Sequence, residues 1–152
     1  MILPITLTIA AAAAILHVWL SSRVIRVRRP LKIAYGDGGN ETLTRRMRAH
    51  GNFAENVPIF LVLLGFLELA TGGNLWLWGA AILFILARVV HAFGMDRPGA
   101  NALRVGGIAT SLTVLIGLAA YAIFIAYQAP PIQRGFEIGG RSPAAAAPAK
   151  GR

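Results

Sequence analysis

The chain contains no cysteine, which removes disulfides, thiolate metal sites and a cysteine nucleophile, so any thiol chemistry must use a thiol brought by another molecule. Acidic residues are scarce: 6 Asp and Glu stand against 15 Lys and Arg, for a formal net charge of +9. Charge of either sign is scarce too, with 14% charged residues against 56% hydrophobic, a balance rarely found in a soluble domain because such a domain needs a polar surface. These shortages place the chain in the membrane class, with room for one compact domain. The cationic excess is then the mark of loops flanking membrane helices. No nucleic-acid partner and no metal site are expected.

What is present is four apolar stretches, each long enough to cross a hydrocarbon core that needs roughly 20 helical residues. The first is Ile2 to Leu20, the second about Phe53 to Ala70, the third Leu75 to Phe93 and the fourth Val105 to Tyr127. Basic residues follow the first stretch and no small-residue cleavage pattern closes it, so it reads as a retained helix. The fold expected is all-α, a transmembrane four-helix bundle over residues 1–128, followed by a disordered Pro- and Ala-rich tail over 129–152. The linker Ser21 to His50 carries Arg23, Arg26, Arg28, Arg29, Lys32, Arg45, Arg46 and Arg48 against Asp37 and Glu41. It should face the cytoplasm, leaving both termini on the other side. Gly36-Asp37-Gly38-Gly39 is a turn signal, and Asn40 is an N-cap for a second helix starting near Glu41. Trp19, Trp76 and Trp78 suit the membrane interface, and His17 and His50 read as structural.

Chemistry is concentrated on the second helix. Arg45, Arg48, Asn52 and Glu55 are three, four and three residues apart, a spacing that lines them along one helix face entering the membrane. Ionisable groups at that depth are costly unless they face a bundle interior or a wet cavity and find partners, so their default reading is functional. The bland alternative has Glu55 paired with Arg48 and Asn52 fixing helix packing. Further cations, Arg26, Arg28 and Arg29 after helix one and Arg104 at the start of helix four, belong to the same membrane face, and Arg88 and His91 point the same way. Helix four also offers unpaired N–H groups there.

The string Arg45-Arg46-Met47-Arg48-Ala49-His50-Gly51-Asn52-Phe53-Ala54-Glu55-Asn56-Val57-Pro58 resembles the hallmark of the membrane-associated proteins in eicosanoid and glutathione metabolism, the MAPEG family: Arg, three residues, Asn, two residues, Glu, two residues, Pro. Val24 to Arg29, Leu86 to Gly94 and Leu103-Arg104 extend the likeness, with a pattern closest to the bacterial branch and so to an inner membrane. The resemblance implies a homotrimer with glutathione bound between subunits as co-substrate. Contacts would come from Arg28 or Arg29, Arg48, Asn52, Glu55 and, where relatives place tyrosine near the end of helix three, His91. Arg104 of an adjacent subunit would stabilise the thiolate. The implied activity is that of a membrane-bound glutathione transferase, or a peroxidase, acting on lipophilic electrophiles. Two other readings compete: a non-catalytic membrane protein of the same fold holding a lipid headgroup or other anion, and a small transporter coupled through Glu55.

Overall fold

The computed structural model describes residues 2–129 and contains four helices, α1 (Pro4–Leu31), α2 (Glu41–Thr71), α3 (Leu75–Met95) and α4 (Ala102–Gln128). All four are long and apolar enough to cross a membrane, so the expected all-α transmembrane bundle is what the chain forms. From residue 130 onward the expected tail lies outside the described residues.

Helix starts follow one rule. Asn40, Asn74 and Asn101 each accept a hydrogen bond on the side-chain oxygen from the backbone N–H three residues on, at Leu43 (2.9 Å), Leu77 (2.9 Å) and Arg104 (3.0 Å). Each satisfies one of the donors that a helix N-terminus leaves orphaned. The expected start of α2 near Glu41 is therefore met, and its cap is the expected Asn40. Helix α1 runs eleven residues past the apolar stretch that ends at Leu20, because nothing in Ser21 to Leu31 stops it before Pro30, and the basic Arg28 and Arg29 suit a helix C-terminus. It ends at Lys32, held in the left-handed region at φ 53° with its N–H donating toward Arg28 O and Arg29 O.

The N-terminus of α1 has no capping side chain of its own at Leu3. A carboxylate from α2 does the work instead. Glu68 Oε1 accepts from Ile5 N (2.9 Å), and Oε2 accepts from Thr6 N (2.8 Å) and from the Thr6 hydroxyl (2.7 Å). Negative charge at a helix N-terminus is favourable, and these bonds are charge-assisted. Glu68 is thereby tolerated at 3% exposure.

Inside the bundle, Phe60 of α2 stacks on Phe84 of α3 at 3.7 Å between ring centroids, with Ile5, Leu64, Leu77 and Leu118 fully buried around them. The tightest helix pair is α3 with α4. A methyl carbon added at Gly107 would lie 2.6 Å from His91 N, and one at Gly94 would lie 2.3 Å from Arg104 N, so glycine at both places lets the backbones touch. Helices α1 and α4 do not meet. Only 11% of the α4 span is buried within the chain, against 39% for α3, which leaves most of the α4 surface to lipid or to another copy.

Candidate functional site

At the end of the bundle where α2 begins, a groove of about 590 Å³ is lined by Gly36, Asp37, Thr44, Met47, Arg48, Gly51, Asn52 and Glu55. Three of the predicted residues, Arg48, Asn52 and Glu55, fall together here because α2 is unbroken from Glu41 through Pro58 and beyond. The floor is one helix face, and the far wall is the Gly-rich turn after α1. Gly51 leaves open space beside it, which widens the groove between Arg48 and Asn52. Arg48 and Glu55 are exposed and form neither an ion pair nor a side-chain hydrogen bond among the described residues, so the bland pairing of the two is not formed. The fourth member of the stripe, Arg45, is withdrawn from the groove by its ion pair with Glu41 at 2.6 Å.

The sequence marks Asp37 only as part of a turn. In the structure it lines the groove with its carboxylate fixed at both oxygens: Oδ2 accepts from the Thr44 hydroxyl (2.6 Å) and Oδ1 from Gly39 N (3.0 Å). These bonds, the Thr44 hydroxyl foremost, hold its carboxyl below the ordinary range for an aspartate. The groove therefore presents one guanidinium and two carboxylates along a single channel. That charge pattern suits a zwitterion better than a simple anion.

Asn52 is held from below by a residue that sequence reasoning did not place in the site. Arg88, 2% exposed in the middle of the bundle, donates from Nη1 to Asn52 Oδ1 (2.7 Å), from Nε to the Ser111 hydroxyl (2.9 Å) and from Nη2 to Gly107 O (3.4 Å). One guanidinium thus ties α2, α3 and α4 together. Because the Asn52 oxygen is taken, its amide N–H groups are the part left to meet a ligand. Asn56, beside the stripe, is turned back onto its own helix, donating to Asn52 O (2.8 Å). An arginine in an otherwise apolar span was itself the available signal, since such a charge must have a partner inside the bundle.

The remaining predicted residues lie outside the groove of a single chain. Arg28 is folded over the α1–α2 turn, donating to Ala34 O (3.1 Å) and touching Met47 Sδ (3.3 Å), so it braces the groove wall through Met47. Arg29 is exposed on α1. His91 is 6% exposed, its Nδ1 lying 3.0 Å from Arg104 O, where it secures the first turn of α4 against α3. Asn101 adds a second tie by donating to Gly94 O (2.8 Å). The side chain of Arg104 is exposed beyond these anchors and makes no hydrogen bond among the described residues. No group of three or more His, Cys, Asp or Glu is placed to hold a metal ion among them.

The sequence profile of the MAPEG family matches residues 6–124, a range that contains the whole groove and all four helices except the start of α1 and the end of α4. Among curated proteins, the inner membrane protein YecN of Escherichia coli K12 is 37% identical over 86 residues, covering 56% of this chain. YecN of Escherichia coli O6:H1 matches to the same extent. The chain spans 65% of the length of these relatives.

Proposed function

Because the chain belongs to the MAPEG family, we propose that this multi-pass protein of the bacterial inner membrane binds glutathione in the α2 groove and presents its thiolate to lipophilic electrophiles. The observation that carries the reading is the groove's charge pattern: Arg48, Asn52 and Glu55 line one channel with Asp37 opposite. Glutathione has two carboxylates and one ammonium. The groove's own charges match its ammonium and one carboxylate, and the other carboxylate is left to the Asn52 amide and to a cation of a neighbouring copy. Arg48 is matched to a carboxylate, Glu55 or Asp37 to the ammonium, and the Asn52 amide N–H to a peptide carbonyl or the second carboxylate. In a homotrimer with both termini on the non-cytoplasmic side, Arg104 comes from a neighbouring copy, which agrees with its exposed side chain and rigidly anchored backbone.

The chemistry asked of these residues is modest. A free thiol has a pKa of about 8.5, and a guanidinium at the sulfur lowers it. The proton leaves to water, the Arg104 charge stabilises the sulfur anion, and the thiolate forms a carbon–sulfur bond with the electrophile while its leaving group departs. Glutathione added to the purified full chain should raise its melting temperature and produce a thiolate absorbance band near neutral pH. Arg104→Ala should abolish the band and retain most of the thermal shift. Absence of the band at every accessible pH would refute catalysis.

A binding-only role has one observation in its favour: Asn56, which occupies the position after the motif Glu, is bonded to its own helix backbone and offers no hydroxyl to a bound thiol. A thermal shift without a thiolate band selects this second reading.

A further inference from the structure

On the opposite side of α2 from the groove, a second cleft of about 450 Å³ opens between α1, α2 and α3, lined by Trp19, Arg23, Arg26, Arg46, Phe93 and Asp96. Three guanidiniums here face a single carboxylate. Arg23 is 7% exposed, pairs with Asp96 through Nη2 and lies over the Trp19 ring at 4.6 Å, while its Nη1 has no acceptor among the described residues. Arg46 gives one Nη to Arg23 O (3.1 Å) and leaves its buried Nε without an acceptor among the described residues. Arg26 is exposed and, among the described residues, tied only by two 3.4 Å contacts to Ser22. Buried guanidinium donors without acceptors are unusual and call for a partner, because each forfeits its hydrogen bond to water. An anion in the cleft provides acceptors on several sides, which Asp96 alone does not.

The surroundings say which anion. The cleft sits where the apolar spans of α1 and α3 give way to basic residues. Trp19 and Phe93 form its membrane-side edge at 5.6 Å between centroids, with Phe93 50% exposed. On the same helix faces, one turn or two deeper, Ile15 is 73% exposed and Leu86 55%. Cations above, aromatic rings at the boundary and bare aliphatic surface beneath are the profile of a phospholipid, phosphate at the top and acyl chain below. We propose that this cleft is a specific site for the phosphate headgroup of an anionic phospholipid, separate from the glutathione groove.

The test uses the full chain in a neutral detergent, with phosphatidylglycerol, phosphatidylcholine or inorganic phosphate added, read by native mass spectrometry and thermal shift. Phosphatidylglycerol should bind in preference to phosphatidylcholine and raise the melting temperature. Arg26→Gln should weaken that binding about fivefold, the factor carried by one basic residue at a headgroup, and Arg26→Gln with Arg46→Gln should remove the thermal shift. Lys32→Gln, which deletes the same charge outside the cleft, should leave binding unchanged. Equal losses in Lys32→Gln and Arg26→Gln would mean diffuse surface attraction and overturn the site. An equal shift from inorganic phosphate would overturn the lipid assignment, and no preference for phosphatidylglycerol would overturn both. Arg48→Gln separates this proposal from the glutathione reading: it should lose the glutathione shift and keep the lipid shift.

Discussion

Two of the glutamates of helix α2, Glu55 near its middle and Glu68 near its C-terminus, share a helix and a mostly apolar setting, and they have opposite fates. Glu68 is buried with both oxygens occupied by Ile5 and Thr6 of α1. Glu55 is exposed, lines the groove and has no partner among the described residues. From sequence, a carboxylate inside an apolar span is a functional residue by default. The pair shows that the default has to be divided by whether the fold itself satisfies the charge. Glu68 completes a helix terminus and is structural; Glu55 is left over for a ligand. The same division holds among the arginines, with Arg88 consumed by Asn52, Ser111 and Gly107 and Arg48 left open.

The comparison predicts that the closed end is where stability is lost. Glu68→Leu strips acceptors from two backbone N–H groups and one hydroxyl at the start of α1, and each buried donor left unmade costs about 1–3 kcal/mol. A fall in stability of about 3 kcal/mol or more is expected, measured as a drop in melting temperature of the detergent-solubilised protein. The increment in melting temperature that glutathione adds should survive. A Glu68→Leu protein as stable as the parent would break the distinction.

Arg88→Leu removes the buried tie beneath the groove and should report on stability and binding together. It removes the charge outright, so no unpaired guanidinium remains, and leaves Asn52 Oδ1, the Ser111 hydroxyl and Gly107 O one donor short. The expected cost is about 2 kcal/mol. Since Asn52 would then be free to rotate, glutathione binding should weaken as well, and a loss of stability with unchanged binding would show that Asn52 does not meet the ligand.

Glu55→Gln should do the reverse of Glu68→Leu. An exposed residue without partners is replaceable within about 0.5 kcal/mol, while losing the match to an ammonium group should weaken glutathione binding roughly tenfold, the effect of one charge-assisted contact. Calorimetric titration of the variant against the parent decides it. Unchanged affinity would move the ammonium partner to Asp37.

How much of this was legible in the sequence depends on how far apart the interacting residues lie. The four helices were legible because each apolar run meets the span length, and Asn40 because capping is local. Asn74 and Asn101 carried the same local signal. The groove's floor was legible since Arg48, Asn52 and Glu55 repeat at helical spacing. What was not legible is contact across the chain: Glu68 meets residues 62 and 63 positions away, and Arg88 meets Asn52 at 36. No periodicity announces such pairs; the only sign is an unexplained charge in an apolar run. The continuation of α1 to Leu31 escaped hydropathy for a different reason, namely that a helix need not stop where the membrane does.

The smallest effect concerns the groove's other wall. Asp37 is at the surface, and its carboxyl is held below the ordinary range first by the Thr44 hydroxyl and then by Gly39 N–H. A carboxylate with a depressed pKa stabilises the fold at pH above its unfolded value, near 3.8, and that contribution disappears as pH falls through the lower folded value. Thr44→Val removes the main cause, so the folded pKa returns toward 3.8 and the acid-dependent part of the stability shrinks. Melting curves between neutral pH and pH 3 should therefore converge more for the variant than for the parent, while Glu68, bonded at the other end, is untouched by the change. If instead Thr44→Val lowers stability equally at both pH values, the Thr44 hydroxyl acts through its second bond, to Asn40 O at 3.1 Å, and Asp37 is a groove residue whose ionisation the fold does not control.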